Sequence, residues 1–298
     1  MSLKERSLVS QVPEKNSNFQ KDKNRSINIL NAENLIKSGA HFGHPVSKWN
    51  PQFKKFILSI KNGVHIINMD MTLEYLDKAL LELSKVVEKG GNILFVGTKS
   101  QAKDAIQSSA DHCSMFYITE RWLGGTLTNY STIKKSIRRL KLLEKDSSSI
   151  YKNLTKKERG MLDREKLKLA DLHRGIKDMR HLPSAVFVVD AKHEKIAISE
   201  SKCLGIPTFG IVDTNTDPGM IDFPIPANDD SIKTIKLILD YIADSLYNLS
   251  NAGKDDSDST VPVDQHEVSV DTSNLKDIPV DKSIENVDKV ADSKSNSK

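Results

Sequence analysis

The chain has 298 residues, 38% of them apolar and 28% charged, with a mean hydropathy of -0.43 and a formal net charge of +4. That length allows one large domain or two ordinary ones, and the apolar share allows a real but modest core. No apolar run approaches the roughly 18 residues of a membrane span, and the opening residues lack the apolar centre of a secretion signal.

In chain order, residues 1–26 are polar and patternless and read as a disordered arm. A short helix follows in "LNAENLIKSGAHFG", with Asn31 placed as N-cap and Gly39 as the C-terminal stop. "HFGHPVSKWNPQFKKFILSIKNG" reads as irregular and "VHIIN" as a short buried strand. The next segment, "MTLEYLDKALLELSKVVEKGG", puts Leu73, Leu76, Leu80, Leu83 and Val87 on one helical face. From there the chain alternates. "NILFVGT", "MFYIT", "AVFVVD" and "PTFGIVD" read as strands, and "DFPIPAN" as a short extended piece. "SQAKDAIQSSADHC", "HEKIAISESKCLG" and "DDSIKTIKLILDYIADSLYNL" read as helices between and after them. Continuous Val, Ile and Phe runs suit strands covered on both faces, and the alternation imposes right-handed crossovers. The expectation is an α/β domain over residues 27–250, a doubly wound parallel sheet of about five strands. Cys113 and Cys203 fall in apolar segments without CxxC spacing, which predicts buried free thiols in a reducing compartment.

One basic segment interrupts the alternation. Residues 131–181 hold sixteen Lys or Arg against seven Asp or Glu. One sign gathered in one element is the usual footprint of a polyanion partner, with a solvated helical face as the plainer alternative. "TNYSTIKKSIRRLKLLEKD" places Ile133, Ile137 and Leu140 on one face and Lys134, Lys135, Arg138, Arg139 and Lys141 on the others. After a break at "SSSIYKN", Thr155 and Glu158 have the spacing of a capping box, and Leu162, Leu169 and Leu172 form a narrow stripe. Two such helices make an inserted hairpin over residues 128–178, too polar to be core and expected to project. Residues 251–298, six Lys against eleven Asp or Glu with no Trp, Tyr or Phe, read as a disordered acidic tail. Such a tail, tethered to a basic body, could compete weakly with RNA for it.

Chemistry is sought at the carboxyl ends of the strands, where doubly wound folds bind ligands. Gly97, Thr98 and Lys99 in "GTKSQAK" could receive an anion but fall short of the full phosphate loop. Asp190 and Asp213 end strands, with His193 one turn on; a cation site and ordinary turn caps are both open to them. His41 and His44 in "HFGH" read as packed, and no metal is assigned. Neither a nucleophile elbow nor a metalloprotease motif is present. The junction "RWLGGTLTN" leads into the hairpin. Gly124 and Gly125 read as its hinge, Arg121 as a phosphate anchor and Trp122 as packing rather than stacking on RNA.

Taken together, "SGAHFGHPVSKWNPQFKKFI", "GVHIINMD", "ILFVGTK", "RWLGGTLTN", "LPSAVFVVDAKHEKIAISES", "LGIPTFGIVDTNTDP" and "DFPIPANDD" resemble the bacterial form of small-subunit ribosomal protein number two, the family shared with mitochondria and plastids. The likeness spans roughly residues 29–249 and departs at Arg180 and His181, where many members carry a glycine pair. The resemblance implies a flavodoxin-like α/β domain with a protruding helical hairpin. It implies a structural role in the small subunit, with no cofactor and no catalysis. The implied partners are ribosomal RNA and neighbouring ribosomal proteins, including the multi-OB-fold mRNA-binding protein, with no membrane. The implied location is a ribosome, in the bacterial cytoplasm or in an organelle. Candidate RNA contacts are Arg121, Lys134, Lys135, Arg138 and Arg139, together with Lys48, Lys54 and Lys55 of the irregular segment. The alternative is a nucleotide-binding enzyme on the same scaffold, using "GTK" and the strand-end aspartates.

Overall fold

The first described element of the computed structural model, which describes residues 30–145 and 154–255, is α1 (Ala32–Ser38). It ends at Gly39 with φ +85, in the left-handed region that favours glycine. Asn31 occupies the N-cap, but its side chain makes no capping bond. The segment read as irregular then forms two strands that the sequence reading missed, β1 (Phe42–Pro45) and β2 (Ile57–Lys61). Both pair antiparallel with β3 (Val64–Ile67) in the order β1-β3-β2. The turn Asn62-Gly63, with φ 53 and 75, joins Lys61 to its partner Val64. Two residues at positive φ are what a tight hairpin needs, and Asn-Gly is its strongest sequence signal. Between β1 and β2, the 3-10 turn Pro51–Phe56 buries Phe53 and Phe56 in the core.

Helix α2 (Met69–Glu88) follows. Its buried stripe is Met69, Thr72, Leu76, Ala79 and Leu83, so Leu73, Leu80 and Val87 lie at the margins of the face. Small residues win the centre because α2 lies against the last sheet strand, where the Thr72 hydroxyl donates to the Pro226 carbonyl at 2.6 Å.

The five-stranded sheet is as expected. It comprises β4 (Ile93–Val96), β5 (Phe116–Ile118), β6 (Ala185–Val189), β7 (Thr208–Val212) and β8 (Phe223–Pro226). The order is β5-β4-β6-β7-β8, all parallel, and every residue of β4, β6 and β7 is buried. α3 (Lys103–His112) carries the chain from β4 outward to β5, whereas α6 (Lys195–Cys203) carries it from β6 the other way to β7. Right-handed crossovers in opposite directions put helices on opposite faces. The extended piece "DFPIPAN" supplies β8, whose Pro224 and Pro226 are tolerated because it is an edge. The closing helix α7 (Ile232–Asp255) packs on α2 and α3 and runs past Leu249, where the helix expected from sequence ends, and past the expected domain boundary at 250. No helix among the described residues is long and apolar enough to cross a membrane. Cys113 is buried as expected, but Cys203, at the outer end of α6, is exposed.

The inserted hairpin consists of α4 (Tyr130–Glu144) and α5 (Lys156–His173), with the capping box of Thr155 and Glu158 in place. Ile133 and Ile137 join the main core. Leu140 and Leu143 are buried too but lie outside that core, so the distal half of α4 is covered by the hairpin itself. The expected arm, the turn at residues 147–153 and the tail beyond Asp255 lie outside the described residues. At the base, a 3-10 turn (Arg174–Ile176) brings Gly175 against β5, where an added Cβ would stand 2.1 Å from the Tyr117 carbonyl oxygen. Backbone cannot yield as a side chain can. Gly175→Ala should therefore destabilise the fold by about 1–3 kcal/mol, measured by denaturant unfolding.

Candidate nucleic-acid interface

Strand order reverses between β4 and β6, and a ligand of such a fold would sit at their carboxyl ends. That crevice is filled by the chain's own ion pairs. The Lys99 ammonium meets Asp229 at 2.8 Å, Asp230 at 2.6 Å and Asp190 at 3.3 Å. Burial opposes its charge, but hydrogen bonds to Asp229 and Asp230 outweigh this and keep it firmly protonated. Glu194 accepts from both the Thr98 backbone N–H, at 2.8 Å, and its hydroxyl, at 2.6 Å. The groups that might have met a phosphate thus already hold carboxylates. Asp190, at φ +67, accepts from the N–H groups of Lys192 and His193, which makes it a turn residue as well as a partner of Lys99.

Beside this cluster the His44 Nδ1 lies 2.9 Å from Asp213 Oδ2, and its Nε2 lies 3.5 Å from Asp230. The hydrogen bond to Asp213 raises the His44 pKa against the opposing effect of burial. Asp229 is pushed up to about 7, first by burial and then by the Asp213 and Asp190 charges. His44, Asp213, Asp229 and Asp230 bring one ligand atom each within 4.8 Å of one another, a nitrogen-and-carboxylate set that could hold a divalent cation. Of these, the sequence marks Asp213 as open to a cation and reads His44 as packed; it gives no sign of Asp229 and Asp230. The companions of Asp213 come from β1, which carries His44, and from the turn before α7, which carries Asp229 and Asp230.

The hairpin root is built around a residue that the sequence reading did not single out. Glu200, on α6 and 8% exposed, accepts from Trp122 Nε1 at 3.0 Å and from the Gly125 N–H at 2.8 Å. Its other oxygen accepts from the N–H groups of Leu127, at 3.0 Å, and Thr128, at 3.1 Å, and from the Thr128 hydroxyl. Burial pushes this carboxyl up, but the bonds from Trp122, Gly125, Thr128 and Leu127 prevail and hold it below its ordinary value. Trp122 packs as expected, 7% exposed. Of the two hinge glycines only Gly125 has positive φ, at +86; an added Cβ at Gly124 would meet nothing within 4 Å. Higher on the hairpin, Ser136 and His173 Nε2 are 2.8 Å apart, and burial lowers the His173 pKa.

The candidate cations divide by what they already touch. Arg121, Lys135 and Arg138 are exposed and make no ion pair among the described residues. Lys134 lies over the Tyr130 ring, 4.8 Å from its centroid, and lines a cleft with Arg138. Arg139 instead makes a forked pair with Glu165 on α5, at 3.0 and 3.2 Å, so its guanidinium braces the hairpin. Lys48, Lys54 and Lys55 are exposed on the two 3-10 turns between β1 and β2, away from the hairpin elements in the chain. Lys55 also covers the Phe56 ring, at 4.6 Å.

The chain is thus a doubly wound domain whose ligand crevice is closed by internal ion pairs and whose anchored basic hairpin carries cations that make no ion pair among the described residues. Residues 35–248 match the family model described as ribosomal protein S2, and the chain belongs to that family. It is 48% identical over 231 residues to small ribosomal subunit protein uS2 of Chloroherpeton thalassium, covering 77% of this chain and 92% of that one. The protein of the same name from Fusobacterium nucleatum is 45% identical over 222 residues, covering 74% and 90%.

Glu200→Gln puts an amide against buried donors and should cost about 1–3 kcal/mol at pH 7. Because the folded-state pKa of Glu200 is depressed, its stabilisation is present above the unfolded value, about 4.3, and fades as pH falls through the folded value. Chemical denaturation of both proteins should therefore show their difference shrinking toward pH 3. Gly125→Ala should cost about 1 kcal/mol and Gly124→Ala much less, which thermal unfolding of the two variants would separate.

Proposed function

We propose that the chain is a structural, non-catalytic constituent of the small ribosomal subunit that grips ribosomal RNA with the outward cations of its hairpin. The observation that carries this reading is the division of charge just described. Lys135 and Arg138 face outward from a helix whose root is tied into the domain by Glu200, with Arg121 exposed at the same root. Each cation that meets a phosphate releases condensed counterions, so binding weakens steeply with salt. Shape rather than base identity governs contact wherever the RNA is double-stranded. Lys48, Lys54 and Lys55 offer a second basic region on a separate part of the fold. Contact with neighbouring small-subunit proteins, the multi-OB-fold mRNA-binding protein among them, is supported by family membership, and a pull-down from dissociated subunits tests it. The location that follows is the ribosome. Nucleotide catalysis is disfavoured physically, because a phosphate entering at Thr98 and Lys99 would meet Glu194, Asp190, Asp229 and Asp230.

The variant Lys134→Gln, Lys135→Gln, Arg138→Gln should keep its fold, the exposed sites Lys135 and Arg138 changing stability by roughly 0.5 kcal/mol at most. Half-buried Lys134 should change it by about 0.5–1 kcal/mol through its contact with the Tyr130 ring. In gradient fractionation it should leave the small subunit at lower salt than the unaltered protein. The slope of log binding constant against log salt should fall by about 2 to 3. An unchanged slope would remove phosphate neutralisation by α4.

A further inference from the structure

Between α4 and the residues after α5 lies a cleft of about 440 Å³. This falls in the roughly 300–1,000 Å³ range of clefts that enclose a small-molecule-sized group. Its lining includes two buried apolar side chains, Ile137 and Met179. Five cations also line it, against the single carboxylate of Asp178. Two of the five are engaged: Lys141 with Asp178 at 2.9 Å, and Lys177 with Glu144. Arg138 and Arg180 are exposed and make no salt bridge among the described residues. The walls are cross-linked. The Tyr130 hydroxyl donates to the Met179 carbonyl, and the two ion pairs just named also run from α4 to residues 177 and 178. The cleft is therefore preformed, which lowers the ordering cost of binding.

We infer that this cleft takes one unpaired nucleotide of RNA, its phosphate held by Arg138 and Arg180 and its sugar and base set against Met179 and Ile137. The inference rests on the RNA-binding reading above and adds a site and a preference to it. An A-form duplex keeps its bases stacked inside and offers a convex backbone, which such a concavity cannot enclose. A bulged or looped nucleotide presents a flat ring that can lie against a polarisable thioether or an arginine plane. Arg180 reaches this cleft from the segment that follows α5.

The test uses the full chain and three probes by fluorescence anisotropy: a blunt RNA duplex, the same duplex with one bulged uridine, and a polyglutamate peptide of matching charge. The bulged duplex should bind about tenfold tighter than the blunt one, the worth of one charge-assisted contact. Arg138→Gln with Arg180→Gln should erase that preference, so that both duplexes bind alike, each more weakly than to the unaltered protein because Arg138 also meets phosphate in the general mode. Both side chains are exposed, and circular dichroism checks the fold. A 4-thiouridine at the bulge should cross-link to peptides containing residues 134–141 or 177–180. Equal affinity for the two duplexes, or a cross-link elsewhere, overturns the nucleotide site; salt-dependent binding of both would still leave the general RNA-binding reading standing. Displacement of the bulged RNA by polyglutamate as effectively as by unlabelled bulged RNA also overturns it, since the cleft would then read charge alone.

Discussion

Glu200 joins two parts of the chain that a parallel sheet alone would leave unconnected. It lies on the helix linking β6 and β7, and it gathers the indole and backbone N–H groups of a loop more than 70 residues earlier. A loop that bends through a glycine exposes its N–H groups. Burying them without acceptors would be expensive, and one ionised carboxylate satisfies three at once while also taking Trp122 and the Thr128 hydroxyl. The direction in which α4 leaves the sheet follows from that arrangement. The hairpin is thus part of the domain at its root and independent of the core at its distal end, where Leu140 and Leu143 are covered outside the main cluster.

The same use of internal carboxylates accounts for what the scaffold does not do. In a doubly wound fold the end of β4, followed by a helix, is a ready anion site. Here Thr98 and Lys99 are turned to Glu194, Asp190, Asp229 and Asp230, and the local field is acidic. A nucleotide would be repelled and a cation attracted. Positive charge is instead placed on the outer faces of the hairpin, opposite the buried stripe of Ile133, Ile137, Leu140 and Leu143.

Charge on the hairpin serves two purposes that composition cannot distinguish. Arg139 is bound to Glu165, Lys141 to Asp178 and Lys177 to Glu144, which brace one element against the next. Arg121, Lys135 and Arg138 face solvent and make no ion pair among the described residues. Exposed pairs of the first kind add little stability individually. Their value is in fixing spacing, which a partner of defined shape can read.

Local pattern determined a great deal. Apolar runs bounded by helices predicted the parallel sheet, the i, i+4, i+7 stripe of Ile133, Ile137 and Leu140 predicted α4, and Thr155 with Glu158 marked the start of α5. These features depend on neighbours within a few residues, so they can be read along the chain. Asn62-Gly63 is an equally local hairpin signal, but the prolines and aromatics before it mask the strand at Ile57–Lys61. Tertiary structure alone decided the rest. It selected Glu200 among forty acidic residues, assigned Arg139 inward and Arg138 outward, exposed Cys203, and gathered His44, Asp213, Asp229 and Asp230. Each of these outcomes depends on which distant group arrives beside a side chain and how much water is excluded there. Distance and dielectric of that kind exist only once the sheet has formed and the helices have packed on it.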